Sequence, residues 1–158
     1  MKIDHPAQLR PAADSTALPP NDVCEALARR LRAETRGEVM FDAASRGRYA
    51  TDASIYQIMP VGVFVPQTAE DVATAIAVAR ELKVPVLPRG GGTSQCGQTT
   101  GAALVIDCSK HLRRVLAVDA DAGTATVEPG LVLDHLNAQL KPLGLWYPVD
   151  VSTSAQAT

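Results

Sequence analysis

Apolar residues recur at a spacing of four in Val23, Leu27 and Leu31, which predicts a helix capped by Asn21 or Asp22 and left near Gly37. From Glu38 to Pro60 periodicity lapses, and this stretch, with Tyr49, Asp52, Ser54 and Tyr56, reads as a long connection draped over the domain. Val61 to Val65 is a short apolar run ended by Pro66, as expected of a strand. Thr68-Ala69-Glu70-Asp71 has the form of a capping box, and Val72, Ala75, Ile76 and Ala79 follow at i, i+3, i+4 and i+7, predicting a helix with one apolar stripe. Val84 to Leu87 reads as a second strand. Strand, helix and strand in so short a space imply a right-handed βαβ unit with parallel strands.

Further along, Ala103 to Asp107, Val115 to Val118 and Thr124 to Val127 are expected to be strands, with a hairpin turn at Asp119 to Gly123. Glu128-Pro129-Gly130 closes the last of them. Leu133, Leu136 and Leu140 lie on one face of a helix that Gly144 terminates. The fold class expected is α+β: a βαβ unit followed by mostly antiparallel strands and a helix. Residues 1–20 show no periodicity and are expected to form a disordered leader, 21–54 a helix and an irregular connection, and 55–158 the main domain.

Composition narrows the function classes. The 158 residues are 46% hydrophobic and 20% charged with a net charge of −2, which suits one globular domain. No basic stripe is present to match a nucleic-acid backbone, and Arg29, Arg30 and Arg32 read as the solvated face of the first helix. Cys24, Cys96 and Cys108 are odd in number and lack metal-ligand spacing, so no metal site is expected. Unpaired cysteines and an N-terminus without the apolar core of a signal peptide point to the cytoplasm. No stretch is apolar for long enough to predict a membrane span.

The candidate chemistry is concentrated in Pro88-Arg89-Gly90-Gly91-Gly92-Thr93-Ser94-Gln95-Cys96-Gly97-Gln98, directly after the second strand. Three adjacent glycines cost about 0.5–1 kcal/mol each relative to alanine, so the chain here needs either positive φ angles or the close approach of another group. Successive amides in such a loop converge into a nest that binds an anion such as a diphosphate. A plain surface turn is the alternative. Gly92 and Gly97 followed by Gln98 and Thr99 approach the pattern G-x-x-x-x-G-K-[ST], but Gln98 lacks the cation and no helix follows. The pattern G-x-G-x-x-G fails because, counted from Gly90, its third glycine falls on Gln95.

This loop, the strand–helix–strand before it and the later Val127-Glu128-Pro129-Gly130 followed by a helix resemble the first half of the PCMH-type FAD-binding domain of the vanillyl-alcohol oxidase superfamily. The resemblance covers about Ile55 to Thr158. Residues 48–60 (RYATDASIYQIMP) and the ending GLWYPVDVSTSAQAT are most similar to the flavoproteins that oxidise D-lactate, glycolate or D-2-hydroxyglutarate. The resemblance implies that Arg89, Gly90, Gly91, Gly92 and Thr93 wrap the FAD diphosphate through their amides. Ser94 adds a hydroxyl, and Gly97 and Gln98 complete the cradle. Where relatives with covalently attached flavin carry a histidine, this chain has Thr93, which implies a dissociable FAD. Asp150, Ser152 and Ser154 match the segment that runs beside the flavin ring.

By the same resemblance, the parent protein oxidises a small 2-hydroxy acid by hydride transfer to FAD and passes electrons to an acceptor. An iron–sulfur cluster would belong only to a further C-terminal region. No residue is named catalytic: His111 reads as a surface residue, His135 as the polar side of its helix, Asp52 and Tyr56 as local hydrogen-bonding groups, and Cys96 as a small packing residue. The chain is expected to be a fragment, inactive alone and prone to self-association through unpaired strand edges. A non-enzymatic relic, or a module binding an anion or a partner, is the competing reading.

Overall fold

The computed structural model describes residues 17–158, so the expected leader falls mostly outside the described residues. Helix α1 (Asn21–Glu34) begins one residue earlier than its capping chemistry suggests. Pro20 occupies the cap position and no side chain caps the helix; the Pro20 carbonyl instead accepts the amides of Val23 and Cys24, both at 3.1 Å. Leu27 and Leu31 are fully buried, as their spacing predicts. At the other end the Thr35 amide and hydroxyl both donate to the Leu31 carbonyl, so the helix ends before Gly37.

The stretch read as irregular contains two short elements, strand β1 (Glu38–Met40) and helix α2 (Ala43–Arg48). Neither is long enough to show a period. Asp42 caps α2 by accepting the Ser45 amide at 2.8 Å. Strand β2 (Gly62–Val65) leads to α3 (Ala69–Glu81), where the capping box forms between Thr68 and Asp71. Asp71 is itself buried, and its carboxylate also accepts the amides of Arg36 and Gln67, tying the start of α3 to the end of α1. The buried face of α3 is Asp71, Ala75, Val78 and Ala79, whereas Ile76 is exposed, so the apolar stripe is rotated from the expected one. The reason is the buried cap: packing Asp71 inward turns Ile76, five residues on, to solvent.

Strand β3 (Val86–Arg89) starts two residues later than expected, because the Val84 amide still closes the end of α3 on Ala79. Strand β4 (Leu104–Asp107) is the main topological departure. Rather than joining an antiparallel run, it lies between β2 and β3 and is parallel to both, giving the order β1-β2-β4-β3. Only β1 is antiparallel in this sheet. All four residues of β4 are buried, consistent with a continuous apolar run covered on both faces. Pro88 is tolerated because β3 is an edge strand.

One face of the sheet, with Phe64, Leu104 and Ile106, packs on α1 and α3 through Leu27, Leu31, Ala75 and Val78. The opposite face carries Val63, Val65 and Val105 and is covered by Met40, Tyr49 and Leu87. After the sheet come the expected antiparallel hairpin, β5 (Val115–Asp119) and β6 (Thr124–Val127), and helix α4 (Leu133–Leu140). A 3-10 turn over Lys141–Leu143 intervenes before Gly144, whose φ of 71° ends the helical run. Among the described residues no helix is long and apolar enough to cross a membrane.

Candidate functional site: a loop of open amides

Residues 90–103 connect β3 to β4, two adjacent parallel strands, without a helix, so the loop leaves the carboxyl end of β3 and returns to the amino end of β4. None of the six consecutive amides of residues 90–95 donates a hydrogen bond among the described residues. Unpaired amides are rare in folded chains unless water or a ligand receives them. Gly92 and Gly97 have φ of 67° and 77°, so these two glycines supply left-handed turns. Gly90 and Gly91 serve a different purpose. A Cβ on Gly90 would lie 1.7 Å from the Thr158 hydroxyl oxygen, and one on Gly91 would lie 2.1 Å from the Gln156 carbonyl oxygen. The last residues of the chain therefore form the second wall of the loop. The segment is held there by the start of α4, whose Leu133 and Asp134 amides donate to the carbonyls of Ala157 and Ser154.

The loop is clasped from the other side by residues 49–58. The Ala53 amide donates to the Gly92 carbonyl at 3.1 Å, and the Thr99 hydroxyl donates to Asp52 Oδ2 at 3.0 Å. Asp52 Oδ1 accepts the Ser54 amide at 2.9 Å. Partial desolvation works against ionisation of Asp52, but hydrogen bonds from Ser54 and Thr99 prevail and hold its pKa down to about 2. The Tyr56 ring abuts Gly97, where an added Cβ would come within 2.6 Å of it. The signal for this clasp was present in the aspartate and tyrosines of the aperiodic stretch. It was illegible because no spacing relates that stretch to the loop.

Arg89 stands at the foot of the loop. Its Nη1 donates to the carbonyls of Tyr49 and Thr99 at 3.3 and 3.1 Å, and its Nη2 donates to the Thr51 carbonyl at 2.8 Å. The guanidinium also stacks 5.2 Å from the centre of the Tyr49 ring. The Tyr49 hydroxyl donates to Asp107 Oδ2 at 2.7 Å, while Ser109 occupies Oδ1. Burial first, and then the Asp107 carboxylate, push the Tyr49 phenol well above its ordinary pKa, so it is a fixed donor at neutral pH.

The expected site residues thus fall into three groups. Arg89, Gly90, Gly91, Gly92 and Thr93 are contiguous along the open amides. Ser94 and Gln98 are bonded to each other, the Ser94 hydroxyl donating to Gln98 Oε1 and accepting the Cys96 and Gln98 amides, and with Gly97 they shape the turn. Asp150 and Ser152 are exposed, Ser154 is half-buried with its carbonyl bonded to the Asp134 amide, and it is Gln156 and Thr158 that meet the glycines. Cys96 is exposed, which corrects its reading as a packing residue: the turn at Gly97 projects it outward. Cys24 and Cys108 have thiol pKa values raised by burial and are less reactive for it. His111 and His135 are on the surface.

A groove of about 780 Å³ lies between the β5–β6 hairpin and α4, lined mainly by apolar side chains such as Val127, Leu136, Leu140 and Trp146 and reaching Thr158, which also walls the glycine loop. It lacks the convergent donors that the loop offers.

A family model described as FAD binding domain matches residues 60–158. D-2-hydroxyglutarate dehydrogenase of Pseudomonas putida is 38% identical over 147 residues, covering 91% of this chain and 15% of that protein. Glycolate oxidase subunit GlcD of Bacillus subtilis is 35% identical over 130 residues, 79% of this chain and 27% of that one. Among solved structures, an alkyldihydroxyacetonephosphate synthase superposes with a TM-score of 0.64 at 22% identity, over 84% of this chain and 26% of that one, a likeness of fold. The chain spans 12–15% of the length of the D-2-hydroxyglutarate dehydrogenases it matches.

Proposed function

The chain belongs to the FAD binding domain family, and on that premise we propose that the amides of residues 90–93, directly after Arg89, hold the FAD diphosphate without a covalent bond, as the cofactor-binding part of an oxidoreductase acting on a small 2-hydroxy acid. The observation that carries this is the run of open amides at 90–95, backed by glycines whose missing Cβ atoms leave room for the chain's last residues. The residues present fit a diphosphate. Amide hydrogen bonds to a charged oxygen are worth about 1.5–3 kcal/mol each, so a few suffice without a lysine in the loop.

When bound, FAD supplies the two-electron acceptor for hydride transfer from the hydroxy acid. This chain's part is to bind and orient. Gly92 and Gly97 turn the backbone so that successive N–H groups face one way, Asp52 and Ala53 hold that curve, and the 150–158 segment carries Asp150, Ser152 and Ser154 alongside. Thr93 offers no side-chain nucleophile of the kind that a histidine would provide for covalent attachment. The substrate class follows the names of the relatives, which include D-2-hydroxyglutarate dehydrogenases, a glycolate oxidase subunit and D-lactate dehydrogenases. The electron acceptor lies outside this reading.

The test is titration of the chain with FAD, followed by flavin fluorescence and by amide shifts of Gly90, Gly91 and Gly92. Saturable binding that moves those amides and is lost in Gly91→Asp is the expected result, since the new Cβ collides with the Gln156 carbonyl that walls the nest and the carboxylate repels the diphosphate. Binding that survives Gly91→Asp would overturn the placement. A chain that ignores FAD yet retains a protein partner would favour a non-enzymatic module.

A further inference from the structure

We propose that Arg89 is a positioning residue whose side chain clips the two ends of the glycine loop together and so sets the spacing of the amides at 90–95, without itself touching the diphosphate. This rests on the reading of the loop as a diphosphate nest.

The starting point is register. Arg89 pairs with Asp107 across β3 and β4, and alternation along each strand places both on the face that carries Leu87 and Val105, where Tyr49 also packs. Tyr49 is fixed by its bond to Asp107 and forms a platform for the guanidinium. From that platform three N–H groups reach three carbonyls on different parts of the chain. Thr99 lies near the far end of the loop that Arg89 begins, so this contact closes the loop on itself. Tyr49 and Thr51 flank the clasp that holds Gly92 and Thr99, so the same group ties loop to clasp.

Gly92 supplies the independent observation. A Cβ there would come within 2.7 Å of Arg89 Nη2 and 3.2 Å of Cζ, so the loop backbone lies directly on the guanidinium. The side chain is therefore underneath the nest, its donors directed at carbonyls. A planar fork can bridge three acceptors in this way; a lysine ammonium has the charge but not the geometry.

The experiment compares the chain with Arg89→Lys and Arg89→Gln, using inorganic pyrophosphate and FAD as probes in calorimetric titrations. Backbone order parameters over residues 90–99 and the thermal midpoint are measured alongside. Both variants should lose about tenfold in affinity for either probe, with Lys no better than Gln. Order parameters at 90–95 should fall from about 0.85 toward 0.6 while those of β2 and β4 stay put. Tyr49→Phe, which removes only the hydroxyl, guards against a misfolded Arg89 variant and should lose about threefold.

Rescue by Lys to within twofold of the native chain, with Gln still impaired, would show a direct charge contact and overturn the proposal. Affinities unchanged in both variants, or losses that track an equal loosening of the whole sheet, would overturn it as well. If the native chain binds neither probe, the functional reading fails by itself, and the order parameters still decide the clip: an Arg89→Lys loop as rigid as the native one would refute it.

Discussion

Strands β2 and β4 bury all four of their residues, whereas β6, also four residues long, exposes all four. The two regions differ in what covers them rather than in whether they form strands. The four-stranded sheet is packed on one face by α1 and α3 and on the other by the segment around Tyr49. The β5–β6 hairpin is tied at its base, where the buried Glu128 carboxylate accepts the Arg114 amide at 2.7 Å and its guanidinium at 2.7 and 3.1 Å. Trp146 remains 67% exposed and Leu116 55% exposed nearby. A two-stranded ribbon alone is marginal in water, so this region depends on its anchor to the sheet. The glycine loop is rooted in β3 and β4 and walled by Gln156 and Thr158.

The contrast is testable, and the largest effect belongs to the sheet. Phe64→Ala should destabilise the chain by about 3–5 kcal/mol in urea unfolding, since the ring is fully buried between β2 and the helices. A loss below about 1 kcal/mol would mean that the sheet is not the stable body. Gly130→Ala attacks the junction. Its Cβ would lie 2.0 Å from the Cys108 carbonyl oxygen and 2.8 Å from that of Leu112, both backbone atoms that cannot swing aside. A cost of about 1–3 kcal/mol is expected, together with faster proteolytic cleavage beyond residue 130 than within the sheet.

A smaller effect should appear in the clasp as pH falls. Asp52 has a pKa of about 2 in the folded chain against an ordinary value of 3.8, so its contribution is fully present above pH 4 and is lost as pH drops toward 2. The amide resonances of Ser54 and Thr99 should move through that window, and Asp52→Asn should abolish the transition while loosening the loop. The smallest effect should come from the hairpin: Leu116→Ser is expected to change stability by no more than about 0.5 kcal/mol. A clearly larger loss would show that the hairpin's outer face is covered in solution.

Much of the fold was legible from local pattern, and the misses have identifiable causes. The capping box at Thr68, the turn at Gly123 and the leucine face of α4 follow from chemistry within a few residues. Strand β1 and helix α2 were too short to carry a period, and α3 was misread by one stripe because a charged cap, Asp71, took an interior place. The candidate loop was visible as a glycine cluster ending a strand, but its clasp was not. Tyr49 and Asp52 are far along the chain from Asp107 and Thr99, the residues they bond, and meet them only through packing.

Local sequence was therefore sufficient for the glycine loop, the longer helices α1, α3 and α4 and the α+β class, because each depends on contacts within one turn or one strand. The position of β4 between β2 and β3, the second wall at Gln156 and Thr158, and the placement of the Arg89 guanidinium beneath the loop were decided by tertiary structure. Each of those depends on which distant surface arrives to satisfy a hydrogen bond or cover an apolar face, and no spacing along the chain encodes that choice.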